Sequence, residues 1–146
     1  MKKYICSILC ALFIFGLCSC GVKSLGGNVN AAKTHEVASD LYSQEEIASA
    51  IDIIKAEFKQ DWNGCTLTEI YYAGDEETKK EQNNYERNNQ LKKHNADEVI
   101  VLRSSFDVDS SGEELFLNPN STYSDWSWTL VRKNGGLWRH VDHGCG

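Results

Sequence analysis

The chain has 146 residues, with 15 basic against 21 acidic side chains and a formal charge of −6. An acidic balance without clustered Lys and Arg offers nothing to neutralise a phosphate backbone, which excludes nucleic acid as a partner. Neither a Gly-x-Ser-x-Gly elbow, a His-Glu-x-x-His pair nor a phosphate-binding loop occurs in the sequence, so no residue is assigned a catalytic role.

Residues 1–19 open with Met1, Lys2 and Lys3 and continue as an almost uncharged apolar run from Ile5. That run is short of the roughly 20 residues of a bilayer span, and a basic start before a short apolar core is the order of an export signal. It ends in Leu17-Cys18-Ser19-Cys20-Gly21, which resembles the lipobox of bacterial lipoproteins. The resemblance implies cleavage before Cys20, a diacylglycerol on its thiol, and a lipid-anchored protein on the extracytoplasmic face of the cell membrane. A soluble secreted protein cut elsewhere and an uncleaved anchor are the alternatives. Each buried methylene contributes about 0.8 kcal/mol, so two or three acyl chains (palmitate among them) hold far more firmly than a single myristoyl group. Processing would remove two lysines and leave 13 basic against 21 acidic side chains, a charge of −8.

The same cut takes away Cys6, Cys10 and Cys18, and lipid occupies Cys20, leaving Cys65 and Cys145. In an oxidising compartment these two can close a bridge worth about 2–4 kcal/mol, or remain two free thiols.

Residues 20–42 carry Gly, Asn, Ser and Ala without a sustained period and read as a flexible, lipid-anchored spacer. A single domain is expected over 43–146. Ser43-Gln44-Glu45-Glu46 is a capping box, and Ile47, Ala50, Ile51, Ile54 and Phe58 recur at spacings of three and four. This predicts a long amphipathic helix that stops near Asn63-Gly64. Residues 65–73, rich in Thr, Ile and Tyr, predict a strand. Residues 75–95 predict a second, polar helix with a narrow seam at Tyr85 and Leu91. Val99-Ile100-Val101-Leu102 marks another strand, and Trp126, Trp128 and Leu130 alternate with polar residues in the next. Asn134-Gly135-Gly136 signals a hairpin, with residues 137–143 as its return strand. The order predicts an α+β domain: the long N-terminal helix packed on a curved antiparallel sheet of about four strands, plus the polar helix. Element order of this kind is similar to cystatin-like and nuclear-transport-factor-2-like folds, which is analogy and carries no function.

Four blocks, GCTLTEIYY, ADEVIVLRSSFDVDSSG, LNPNSTYSDWSWTLVR and GGLWR, look like those of small lipoproteins of clostridial gut bacteria. That resemblance implies a Gram-positive envelope lipoprotein and no particular chemistry. The functional expectation is a membrane-anchored module that binds a ligand or an envelope protein. The alternative is an enzyme with a small cavity of the nuclear-transport-factor-2-like type, using carboxylates or His140 as base.

Three groups of residues are candidate sites. Asp107, Asp109 and Ser111 stand at positions 1, 3 and 5 of a calcium-loop pattern with Gly112 at position 6, but Asn118 replaces the bidentate glutamate at position 12. Calcium is the one ion so suggested; the competing reading is a hydrogen-bonded loop between strands. Tyr71, Tyr123, Trp126 and Trp128 can form a ligand surface, or fill the core of a small domain. His140 and His143, with Asp142 and Cys145, have zinc-type donors, but alternation along a strand turns the two histidines to opposite faces and argues for an ordinary exposed strand.

Overall fold

The computed structural model describes residues 26–111 and 116–145. The order is α1 Gln44–Asp61, β1 Cys65–Tyr72, α2 Asp75–Arg87, α3 Gln90–Lys93, β2 Glu98–Val108, β3 Ser121–Arg132 and β4 Arg139–Cys145. The strands form one antiparallel sheet in the order β1-β2-β3-β4, so the expected α+β class with a four-strand antiparallel sheet is what the structure has.

α1 starts where its chemistry requires. The Ser43 hydroxyl accepts from the Glu46 N–H at 3.2 Å, and the Glu46 carboxylate accepts from the Ser43 N–H at 2.9 Å. Ser43→Ala is expected to cost about 1 kcal/mol, seen as a lower urea midpoint with an unchanged slope. The predicted second helix is divided, because Asn89 takes a left-handed φ of 56° and ends the run that began at Asp75.

The sheet is covered on both faces. Ile47, Ala50, Ile51, Ile54 and Phe58 of α1 share one core with Leu67, Ile70, Ile100, Leu102, Phe106 and Trp128. On the opposite face Tyr85 of α2 meets Val99, Val101 and Val131. Alternation along β2 therefore divides its four-residue apolar run between two helices, which is why no residue of that run is polar.

Residues 26–42 are the main departure from expectation. Asn28 and Lys33 bridge in parallel to Thr66 and Glu69 of β1. The Asn28 N–H donates to the Cys65 carbonyl and the Leu67 N–H to that of Asn28, each at 2.8 Å. Farther on, Asp75 accepts from the Ser39 hydroxyl at 2.6 Å and the Asp40 N–H at 2.8 Å, and the Tyr42 hydroxyl donates to the Val99 carbonyl at 2.8 Å. The expectation of a flexible spacer up to residue 42 is corrected from residue 26 onward. An uncovered edge strand offers unpaired backbone groups, and a segment that satisfies them through its own backbone needs no hydrophobic period. Gly27 lies so close to α1 that a Cβ there would come 2.4 Å from the Phe58 carbonyl oxygen.

Cys65 and Cys145 are both free, the first buried and the second exposed. They stand on β1 and β4, the two edges, and at about 4.8 Å per strand three steps separate them by about 14 Å. A disulfide spans a Cα separation of at most about 7 Å, so of the two readings the structure has the free thiols and not the bridge. Burial, and then the Asp109 carboxylate, pushes the Cys65 thiol up to about 11. Mass spectrometry after brief maleimide treatment is expected to find Cys145 modified in the native protein and Cys65 only after unfolding.

Candidate functional site

The site is created by a bulge. Along the β3–β4 ladder Leu130 opposes His140, Thr129 opposes Asp142 and Trp128 opposes His143, leaving Val141 as an extra residue. In an unbroken strand positions three apart face opposite sides, but the inserted residue restores the phase. Both histidines therefore lie on the side of Leu130 and Trp128, which is the α1 side. The expectation of opposite faces is corrected on this ground.

α1 supplies the third group. Glu57 follows Ile54 by three positions and precedes Phe58, so it flanks the apolar stripe and overhangs β4. Its Oε1 lies 2.7 Å from Nδ1 of His140, whose Nε2 lies 2.9 Å from the carbonyl oxygen of Asp142. A carbonyl only accepts, so Nε2 carries the hydrogen in that contact. The His140 and His143 rings are stacked, 5.2 Å between centroids at 23°. One donor atom from each of Glu57, His140 and His143 lies within 4.8 Å of the other two.

The inner wall is aromatic. The His143 ring is 5.4 Å from that of Trp62, 6.0 Å from Trp126 and 5.3 Å from Trp128, centroid to centroid. Burial against these rings, and then the neighbouring His140, lowers the His143 pKa, while Glu57 and Asp142 oppose the shift. The His140 side chain keeps 10% of its exposure and Glu57 31%, while His143 is exposed, so the cluster lies at the surface with the aromatic rings on its inner side. Glu57 escaped the sequence reading because one acid beside an apolar stripe is usually just a solvated helix flank. Its only local signal is its place at the stripe's border.

The other candidates fall elsewhere. Trp128 is fully buried, its Nε1–H donating to the Ser104 hydroxyl at 2.7 Å, and Trp126 is buried with its Nε1 unpartnered. As a ligand surface these two are corrected, since a domain of this size needs their area in its core. Tyr123 stacks on Phe106 at 5.2 Å and accepts the Asn118 N–H at its hydroxyl. Tyr71, between the core residues Ile70 and Tyr72, points to the other face and stacks on His35 at 4.4 Å. Tyr123 also meets Trp126 edge to face at 5.5 Å, but with Tyr71 on the other face the four rings do not form one surface.

In the acidic loop, Asp107 accepts from the Thr122 hydroxyl at 2.6 Å, while Asp109 accepts from the Ser111 N–H at 2.7 Å and its hydroxyl at 2.5 Å. Gly64 underlies the turn at φ 73°, where a Cβ would stand 2.5 Å from Asp109 Oδ1. These are the local bonds of an inter-strand turn. Gly112 of the calcium pattern lies outside the described residues. A cleft of about 350 Å³ lies on the α2 side, with Glu77, Lys80, Thr129 and Asp142 in its walls.

Comparison with protein-family models, with curated proteins and with solved structures finds no match to this chain.

Proposed function

We propose that this protein is an extracytoplasmic lipoprotein that works by binding, its lipid on Cys20 holding the domain at the membrane while the α1/β4 edge faces its ligand or an envelope protein. The observation that carries the binding role is the filled interior. Phe58, Trp62, Phe106, Trp126 and Trp128 interlock between helix and sheet at centroid separations of 5.0–6.4 Å. In this reading α1 across a bulged sheet is a cystatin-like or nuclear-transport-factor-2-like arrangement whose cone is occupied by side chains, so recognition is left to the outer edge.

The anchor is supported by Lys2, Lys3, the apolar run and Leu17-Cys18-Ser19-Cys20, all outside the described residues. Among the described residues no helix is long and apolar enough to cross a membrane. Expression in a Gram-positive bacterium fed an alkyne-tagged fatty acid tests the reading. Wild-type protein is expected to take up the tag and partition into detergent, and Cys20→Ser to do neither. A wild-type protein that stays untagged and aqueous would overturn the anchor.

A further inference from the structure

We propose that Glu57, His140 and His143 form a three-ligand site for a divalent transition metal of the zinc type on the seam between α1 and β4. The inference shares with the binding role only the choice of working face, and an unlipidated chain would hold the metal equally well.

The donor set is the first argument. Two imidazoles and one carboxylate suit zinc and its neighbours, whereas calcium and magnesium take oxygen ligands. Convergence is the second. Zinc bonds of about 2.0–2.2 Å in tetrahedral geometry place ligand atoms about 3.3–3.5 Å apart. The three donor atoms lie within 4.8 Å of one another, with the Glu57–His140 pair at 2.7 Å. The required adjustment is an opening of one contact and a closing of the others, within reach of side-chain rotation.

The outer shell is the third argument. A metal-bound histidine commonly donates its other ring N–H to a carbonyl or carboxylate, which fixes the ring and its tautomer. His140 has that partner in place, the Asp142 carbonyl at Nε2, and this leaves Nδ1 directed at Glu57. A bound cation takes the position of the proton between Nδ1 and Oε1, and that proton leaves to solvent. Trp62, Trp126 and Trp128 close the inner side around His143. The open side leaves a fourth coordination position for water or a donor atom from a partner, the pattern of zinc sites that keep one position free.

The test uses the untagged full chain in detergent, stripped with chelator and titrated calorimetrically with Zn²⁺. One equivalent is expected to bind and to resist displacement by millimolar Ca²⁺ or Mg²⁺. His143→Ala, which leaves the Glu57–His140 hydrogen bond in place, is expected to weaken binding about 100-fold or more, beyond the 10–100-fold of a lost outer-shell group. Glu57→Gln should weaken it too, while His35→Gln and His94→Gln should not. Co²⁺ gives an independent readout, since a tetrahedral site develops intense visible absorption that His143→Ala should abolish, with circular dichroism reporting an intact fold. Absence of stoichiometric binding, binding unchanged by His143→Ala, or binding that depends on His35 or His94 would each overturn the proposal. Fatty-acid labelling is unaffected by any of these results, so the two readings fail separately.

Discussion

Trp128→Ala is expected to cost about 3–5 kcal/mol, a large part of the about 5–15 kcal/mol that holds a domain folded. The ring has no exposure and lies 5.0 Å from Trp62, 5.3 Å from His140 and 5.3 Å from His143. Truncation removes the contacts that join α1, β3 and β4 at once, and leaves a cavity that rings on three sides cannot collapse to fill. It also strands the buried Ser104 hydroxyl, which receives the indole N–H. Trp128→Phe isolates that last contribution, because most of the volume stays, and should cost about 1–3 kcal/mol, the range for an orphaned buried polar group. Urea unfolding followed by far-ultraviolet circular dichroism measures both. A loss below 1 kcal/mol for the alanine variant would contradict the burial described.

Arg132→Ala is expected to rank next, at about 3 kcal/mol. Arg132 is buried at 6% exposure, pairs with Glu98 through Nε and with Glu46 through Nη2 at 2.6 Å, and lies over the rings of Trp138 and Tyr42 at 4.3 and 5.3 Å. One guanidinium thus ties the start of α1 to the ends of β2 and β3. Its removal leaves two carboxylates facing each other. The expected cost is at the lower end of about 3–5 kcal/mol for a broken buried pair, because Glu46 and Glu98 keep 37% and 35% exposure and can hydrate. Arg132→Lys keeps the charge but loses the fork and should fall between the two.

Acid titration reads the same contact. The Ser43 backbone N–H, and then Arg132, hold the Glu46 carboxyl below its ordinary 4.5. A carboxyl depressed on folding adds stability in full above its unfolded value and loses it as pH falls through the folded one. Stability of the wild type is therefore expected to decline from about pH 4.5 downward. In Arg132→Ala the decline attributable to Glu46 should be shallower, since only the Ser43 contact remains. Urea midpoints compared between pH 7 and pH 3 check the sign. An equal slope in both proteins would remove Arg132 from the account.

Much of the fold was legible one residue at a time. The Ser43 capping box, the stripe from Ile47 to Phe58, the Asn63-Gly64 stop and the Asn134-Gly135-Gly136 turn are short-range signals, because each depends on neighbours within a few positions. Alternation in β3 likewise marked Trp126 and Trp128 as inward residues, one of the two readings open to them. The export-type leader and the lipobox-like cysteine are also matters of sequence alone, and concern residues outside the described structure.

The candidate site belongs to the other class of information. Strand alternation placed His140 and His143 on opposite faces, and one extra residue, Val141, reverses that conclusion without any local mark, since a bulge is defined by the partner strand. Glu57 lies 83 residues from His140 in the chain and meets it only because α1 crosses β4. Cys65 and Cys145 seemed free to pair until the order of strands put two others between them. Residues 26–42 looked like a tether because their contacts with β1 run through backbone groups that every sequence possesses. Periodicity and caps are written in side chains and can be read locally; register, strand order and edge cover arise from pairing between distant segments, and only the assembled sheet decides them.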